Sequence, residues 1–541
     1  MMVLKRTTRL AMAGLSGILM SLAYTQWNMG WVMLFAFVPL LMLEEYMHQN
    51  KHEFGGRNLF GMAFLSFIVW NLISTYWIWF ATAAGSIFAL SANALFMTLL
   101  FVLYHKVKLR LPRNEAYIAL VVIWVAFEYF YMQVKLTWPW LNLGNAFANN
   151  VQWIQWYEYT GALGGTVWIL ISNLLIFEIF RRRNIFQPGL AKRINIHLIA
   201  FAIVILVPVT LSLIRYHTYE EAGKSKEVVV LQPNIDPYNT KFSGPVRDQL
   251  YSMLHLADSV MDGNTDYLVF PETALPLYVS EDSAELENDT HMQILRNFNE
   301  KYPGAKLVVG LTTRRFYYDE GDITETAHKY QSFWFDEYNT AMQVDTSGRH
   351  QMYHKSKLVP GVETLPYVDN WKWLNDLIID LGGARNSLGY DKKPTVFHSP
   401  DDSTGVAAII CYESIYGGYI TSFVRKGADL LFIITNDGWW RDTPGYKQHA
   451  AYARLRAIEN RRYVARSANT GISAIINQRG DITDSRGWWQ KAVIKGEVKS
   501  NDKLTFYSRF GDFAGRISVL VAALILLHYL TMLLMKKRQG Q

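Results

Sequence analysis

Gly405-Val-Ala-Ala-Ile-Ile-Cys411 is an apolar, strand-like run that ends in the only cysteine of a 541-residue chain and is followed at once by Tyr412, Glu413 and Ser414. One thiol makes no intramolecular disulfide, so this sulfur is a small buried hydrophobe, a metal ligand or a nucleophile. Buried filler is the ordinary fate of a lone cysteine at a strand end. Two other stretches point to chemistry instead. Tyr267-Leu-Val-Phe-Pro271-Glu272-Thr-Ala-Leu-Pro276 and Tyr353-His-Lys355-Ser-Lys357-Leu-Val-Pro360 place a carboxylate and an amine where strand-like apolar runs give way to loops.

A glutamate, a lysine and a cysteine are the parts of an acyl-transfer site. A thiol with an ordinary pKa of about 8.5 is only a few per cent ionised at neutral pH and needs a base. A nearby carboxylate takes its proton. The tetrahedral adduct then carries an oxyanion, which an ammonium group and backbone N–H donors stabilise in a water-poor site. Glu272 is expected to be the base and Lys355 the cation. Lys357, two residues on, is a competitor for that role and otherwise a solvated charge.

Hydrophobic residues make up 50% of the chain and charged residues 18%, unevenly distributed. Residues 1–215 carry one apolar stretch after another, 226–505 resemble an ordinary soluble α/β domain, and a last apolar stretch fills 516–536. Spans of about 20 apolar residues cross a bilayer. Eight are expected: Leu10 to Gln26, Trp31 to Leu43 (short enough to be re-entrant), Leu59 to Ala83, Ile87 to Tyr104, Tyr117 to Met132, Ala162 to Phe180, Ile196 to Ile214 and Ile517 to Met535. The alternative for the first is a cleaved signal peptide.

Basic residues cluster in alternate connections: Lys5, Arg6 and Arg9; Lys51 and Arg57; Lys106, Lys108, Arg110 and Arg113; Arg181, Arg182, Arg183, Lys192 and Arg193; Lys536, Lys537 and Arg538. The positive-inside rule puts these in the cytoplasm and the large polar domain outside. Most of the formal charge of +7 is therefore a topology signal, and no nucleic-acid partner is expected. In the polar domain, strands are expected at Val228 to Gln232, Tyr267 to Phe270, Lys306 to Gly310, Ala341 to Asp345, Gly405 to Cys411, Asp429 to Thr435 and Gly471 to Asn477. Helices are expected at Val246 to Asp262, His291 to Lys301 and Tyr446 to Arg466, which gives an α/β sandwich with loops at its strand ends.

Pro271-Glu272, Tyr353-His-Lys355 and Cys411-Tyr-Glu413 resemble, in order and spacing, the three catalytic segments of the nitrilase superfamily. Lys357-Leu-Val-Pro-Gly-Val-Glu363-Thr-Leu-Pro366, Thr435-Asn-Asp-Gly-Trp-Trp440 and Arg456-Ala-Ile-Glu-Asn-Arg-Arg-Tyr-Val-Ala-Arg466 are similar to a membrane branch of it, the apolipoprotein N-acyltransferases. Trp138-Pro-Trp-Leu-Asn-Leu-Gly-Asn145 resembles that family's external loop. The resemblance implies eight membrane helices plus an αββα nitrilase-like sandwich. It also implies Glu272 as base, Lys355 as oxyanion stabiliser and Cys411 as nucleophile, supported by Glu363, Tyr412 and Glu413. The implied reaction moves an acyl chain from a phospholipid, typically phosphatidylethanolamine, through a thioester to the amino group of diacylglyceryl-cysteine on an apolipoprotein. The implied location is the bacterial inner membrane, with the catalytic domain periplasmic.

The chain departs from the family in two places. Pro360-Gly-Val-Glu363 replaces the usual Pro-Phe-Gly-Glu, and Tyr238 or Phe242 stands where a lipid-contacting tryptophan is common. The 13 histidines form no His-Glu-x-x-His motif and a single cysteine excludes paired-cysteine zinc sites, so neither metal nor cofactor is expected. The 18 tryptophans are mostly interfacial anchors and core. Glu128, inside the fifth span, is either functional or a structural hydrogen-bond partner. Competing readings are a membrane-tethered amidase or nitrilase for a small substrate, and a binding module with an inactive domain.

Overall fold

A single long apolar run can satisfy its backbone in a bilayer only as a helix, and each of the eight expected spans contains a helix in the computed structural model, which describes residues 4–25, 27–182, 194–364, 387–400 and 402–539. The chain forms two compact units, one of Met1–Tyr76, Ser86–Thr218 and Asp512–Gln541, the other of Trp77–Gly85 and Tyr219–Gly511. Gln26, Arg183, Lys192, Arg193, Leu365 and Pro366, all named above, lie outside the described residues.

Among the described residues the α-helices that lie wholly or mostly in the first unit are Arg6–Leu22, Val38–Gln49, Gly56–Thr75, Ala83–Lys108, Arg113–Tyr131, Tyr157–Phe180, Ile194–Thr218 and Phe513–Gln539. Among the described residues, six segments are long and apolar enough to cross a membrane by length and composition. Outside that set are Arg6–Leu22, 17 residues long, and Arg113–Tyr131, which carries Glu115 and Glu128. The second apolar stretch is longer than expected, because a 3-10 turn at Met29–Leu34 leads into a helix that continues to Gln49. The third is shorter. Its helix stops at Thr75, and Trp77 packs in the second unit, where its ring lies 4.7 Å from that of Trp440 and its Nε1 donates to Gln448 at 3.3 Å.

The buried carboxylates Glu44, Glu45, Glu128, Glu158 and Glu178 of this unit are partnered, as polar groups in an apolar medium require. Glu44 and Glu45 both accept from Lys108. Glu128 is a hydrogen-bond brace: it accepts from Trp124 Nε1 at 3.1 Å, the Leu143 amide at 2.8 Å and Thr166 Oγ1 at 2.6 Å. Two residues from different helices and one from the intervening loop are thus tied to one side chain.

Among the described residues the second unit has fourteen strands: β1 (Lys224–Gln232), β2 (Tyr267–Val269), β3 (Leu275–Ser280), β4 (Lys306–Tyr317), β5 (His328–Tyr330), β6 (Phe333–Val344), β7 (Gln351–His354), β8 (Phe397–Ser399), β9 (Asp402–Ile410), β10 (Leu430–Thr435), β11 (Tyr463–Ala468), β12 (Ser473–Ile476), β13 (Ile482–Arg486) and β14 (Ala492–Ser500). One sheet runs β14-β1-β2-β4-β6-β5, with β3 on β4 and β7 on β6; the other runs β13-β12-β11-β10-β9-β8. Strand alternation decides the layers. Val228 and Val230 face the second sheet's Ile409, Phe432 and Val464. Val229 and Leu231 face the helices Val246–Asp258 and Thr290–Lys301 through Leu250, Met253, Met292 and Leu295. Ile420, Phe423, Ala453 and Ala457, on the helices Gly417–Arg425 and Pro444–Asn460, join the inter-sheet residues in one core.

The result is an α/β/β/α sandwich, and each fully buried Val, Leu or Ile in it contributes about 1.5–3 kcal/mol. One expectation fails here. The helix expected to reach Arg466 stops at Asn460, where Arg461 turns left-handed at φ 51°. Tyr463-Val-Ala-Arg-Ser-Ala468 then pairs in parallel with β10. Its β-branched and aromatic members fit a pleated surface, and tertiary pairing wins over helical continuity.

Candidate active site

Three strands of the sandwich each hand one reactive group to the loop that follows. β2 ends at Val269, three residues before Glu272; β7 ends at His354, next to Lys355; β9 ends at Ile410, next to Cys411. Carboxyl ends of strands are where loops can gather polar groups without breaking a ladder. Gly310 of β4 lies so close beneath the first loop that a Cβ there would stand 2.5 Å from the Pro271 carbonyl oxygen.

Lys355 is 1% exposed, and its ammonium donates to Glu272 Oε1 at 3.2 Å and Glu363 Oε1 at 2.8 Å. Asn339 of β6 donates to the same two oxygens, at 2.8 Å and 3.2 Å. Glu363 also accepts from the Val359 amide at 2.8 Å. The unusual Pro360-Gly-Val-Glu363 turn therefore still brings its carboxylate to Lys355. Gly361 makes this possible by taking φ 81°, a conformation that glycine adopts without strain.

Burial alone would raise the Glu272 carboxyl, but the Lys355 ammonium and the Asn339 amide outweigh it and hold the group below its ordinary value. Burial likewise penalises the Lys355 ammonium, and Glu272 and Glu363 more than restore it, so it stays charged. The Cys411 thiol is pushed well up by burial first and then by Glu272, with partial relief from Lys355. The resting site therefore holds a carboxylate, an ammonium and a neutral thiol. An arrangement of this kind can pass a thiol proton to a carboxylate beside an ammonium.

Cys411 sits at φ 51°, left-handed for a residue with a Cβ, and such strain collects at functional sites. The turn after it, Cys411–Ile415, is fixed from two sides. Ser414 Oγ donates to the Cys411 carbonyl at 2.8 Å, and His449 Nε2 lies 3.1 Å from the same oxygen. Behind them His449 Nδ1 lies 2.9 Å from Asp437, which accepts from Arg466 Nη2 at 2.7 Å. Glu413, fully buried, accepts from the Ile410 amide at 2.9 Å, Tyr353 OH at 2.5 Å and the Ser356 and Lys357 amides at 2.6 and 3.2 Å. It thereby ties the cysteine turn to the lysine loop.

Tyr412 is buried, its ring edge-on to Tyr416 at 5.3 Å. The Lys357 ammonium lies over the Tyr416 and Tyr419 rings at 5.2 and 5.6 Å. Tyr238 and Phe242 both pack on Trp439, edge-on at 5.4 Å and stacked at 5.9 Å. Sequence reasoning missed Asn339, which belongs to no motif, and Lys241, whose ammonium donates to the Glu272 main-chain carbonyl at 2.9 Å. Lys241 stands in the segment weighed above only for its aromatic residues.

Residues 230–503 match the carbon-nitrogen hydrolase family and residues 16–175 the apolipoprotein N-acyltransferase N-terminal domain. The chain is 30% identical over 536 residues, 95% of it and 95% of the relative, to an apolipoprotein N-acyltransferase of Chlorobaculum tepidum. It is 27% identical to one of Geobacter metallireducens over 95% of the chain and 94% of the relative, and 25% identical to one of Thermotoga maritima over 94% and 91%. Among solved structures, Saccharomyces cerevisiae Nit3, a member of the nitrilase superfamily, covers 52% of this chain with 92% of its own at a TM-score of 0.37 and 16% identity.

Proposed function

We propose a residue-level mechanism for a chain that belongs to the apolipoprotein N-acyltransferase family. The protein is a membrane N-acyltransferase that acts on lipoproteins, built on a nitrilase-like domain. The finer reading is a two-step transfer. In the first step Glu272 takes the Cys411 proton and the sulfur attacks an acyl ester of a phospholipid, namely phosphatidylethanolamine. The C–O bond breaks, the proton on Glu272 passes to the leaving oxygen, and a lysophospholipid departs from a thioester. In the second step the α-amine of a diacylglyceryl-cysteine attacks the thioester carbonyl. Glu272 takes a proton from the nitrogen, and the thiolate leaves and is reprotonated.

Lys355 meets the oxyanion in both steps, Glu363 and Asn339 hold Lys355 and Glu272 in register, and Glu413 braces the turn that carries the sulfur. The observation that carries this reading is the Lys355 ammonium held within 3.2 Å of Glu272 and 2.8 Å of Glu363, in the same buried site as the chain's only thiol. Confinement of enzyme, donor and acceptor to one leaflet raises their effective concentration. The reading extends to residues 1–215 and 516–536 as the membrane domain and 226–505 as a periplasmic catalytic domain of the inner membrane.

Incubation with phosphatidylethanolamine vesicles is expected to give a hydroxylamine-labile acyl adduct on the intact protein, chased by a diacylglyceryl-cysteine peptide. Cys411→Ala is expected to abolish it. An adduct that persists in Cys411→Ala overturns the thioester mechanism.

A further inference from the structure

The catalytic cluster holds more negative than positive charge until a second lysine is counted. Glu272 and Glu363 carry two negative charges and Lys355 one positive, a net of minus one around a thiol that must ionise. Lys241 lies in the loop between β1 and the helix Val246–Asp258 and is 1% exposed. Lysine is almost never so buried without a partner. Its ammonium donates to the Glu272 carbonyl at 2.9 Å and lies 3.2 Å from the Asn436 side-chain amide. These partners are dipoles, not carboxylates, so the nearest charges it can offset are those of the catalytic cluster.

The loop around Lys241 is pinned. Its amide donates to the Asp236 carbonyl at 2.9 Å, and Gln249 Nε2 donates to its own carbonyl at 3.2 Å. Burial lowers the ammonium to about 7 against the opposing pull of Glu272 and of an ionised Cys411, so the charged lysine and the thiolate favour one another.

We propose that Lys241 is a second cation of the active centre: its contact with the Glu272 backbone positions the base, and its charge brings the cluster to neutrality so that the Cys411 thiolate can form. This rests on the thioester reading above. The ionisable groups that act on the thiol include Glu272, Lys355, Lys241 and Asp437, the last with its partners Arg466 and His449. Asp437 is already met by two basic groups, which leaves Lys241 as the charge whose removal unbalances the site. Thiol and base titrate as a unit, so the observable is the apparent midpoint of the pair.

The test is alkylation of Cys411 by iodoacetamide in the full-length protein, followed by intact mass across pH, in wild type, Lys241→Met, Lys241→Gln and Lys241→Arg. The midpoint is expected to rise by about one pH unit in the Met and Gln variants, a roughly tenfold slower reaction at a fixed pH below it, and to stay near wild type in Lys241→Arg. Acylation by phosphatidylethanolamine vesicles is expected to slow by roughly 10- to 100-fold in the same two variants. An unchanged midpoint in both, or a full return to wild type in Lys241→Gln, overturns the charge role. Should Lys241→Met fail to fold, the Gln and Arg pair decides alone. Alkylation needs no acyl transfer, so a wild-type protein that alkylates normally yet never takes acyl from phospholipid breaks the earlier reading and leaves this one standing on its midpoint.

Discussion

Glu272 and Glu413 flank the same cysteine turn, both deeply buried, and their surroundings drive them in opposite directions. Glu272 faces the Lys355 ammonium and is held below its ordinary value. Glu413 faces a phenol and three backbone amides, and burial pushes it up to about 7. Four neutral donors do not offset desolvation at Glu413, whereas at Glu272 the Lys355 ammonium, helped by the Asn339 amide and the Lys241 charge, overcomes it. On the proposed mechanism the difference separates a proton acceptor from a brace: a base must be ionised before it can take the thiol proton, whereas a tether needs only acceptor oxygens.

The largest expected effect breaks the Glu272 side. Glu272→Gln and Lys355→Met are each expected to slow thioester formation by on the order of 100- to 1000-fold, and the double variant to be scarcely worse than either single one because the groups act as a unit. A time course of radiolabelled acyl retained on protein measures this. Near-normal acylation in Lys355→Met, with loss in Lys357→Met, would reverse the assignment of the two lysines.

The Glu413 side should break differently. Glu413→Gln puts an amide NH2 against backbone N–H donors and is expected to cost about 1–3 kcal/mol of stability, read as a lower thermal midpoint of the purified protein. A carboxyl raised on folding stabilises the fold at low pH and loses that contribution as pH rises from about 4.5 through about 7. Wild type is therefore expected to weaken across that window by on the order of 2 kcal/mol relative to Glu413→Gln. Glu272 has the opposite sign: its contribution is present above the ordinary carboxylate value and is lost as acid is added below it. Equal slopes for wild type and Glu413→Gln between pH 5 and 7 would refute the contrast.

Smaller effects sharpen it. Asn339→Leu removes a donor shared by Glu272 and Glu363 and is expected to slow acylation by about tenfold, the cost of a mispositioned base. Lys357→Met, whose charge rests on aromatic rings, is expected to acylate within about twofold of wild type, measured by the same assay.

The three reactive residues were legible because each follows a short apolar run, and strand ends put side chains into loops. Glu363 could be named from a family pattern, but that Gly361 would supply the turn needed to reach Lys355 is a backbone property with no mark in spacing. Asn339 and Lys241 were hidden for a different reason: each acts through an atom of Glu272 contributed by a distant segment, and only pairing of β4 with β6 and packing of the β1 loop bring them there. The membrane helices announced themselves by length. The end of the third did not, because Trp77 is as apolar as its neighbours while its partners Trp440 and Gln448 lie more than 360 residues away. Edge strands such as β14, Ala492–Ser500, carry lysines and a glycine and give no clean alternation.

The brace formed by Glu128 bears on the order in which the chain can enter a membrane. Its helix, Arg113–Tyr131, is synthesised before Leu143 and well before Thr166, whose hydroxyl closes the third hydrogen bond. Until those residues emerge, the carboxylate has only Trp124 of its own helix. A charged group at a helix centre costs roughly 2.5–3.5 kcal/mol on insertion, so this helix gains a finished polar pocket only once Tyr157–Phe180 has followed it. The two are a natural insertion pair, and a nascent chain halted between them would hold the fifth helix less firmly than one halted after residue 180.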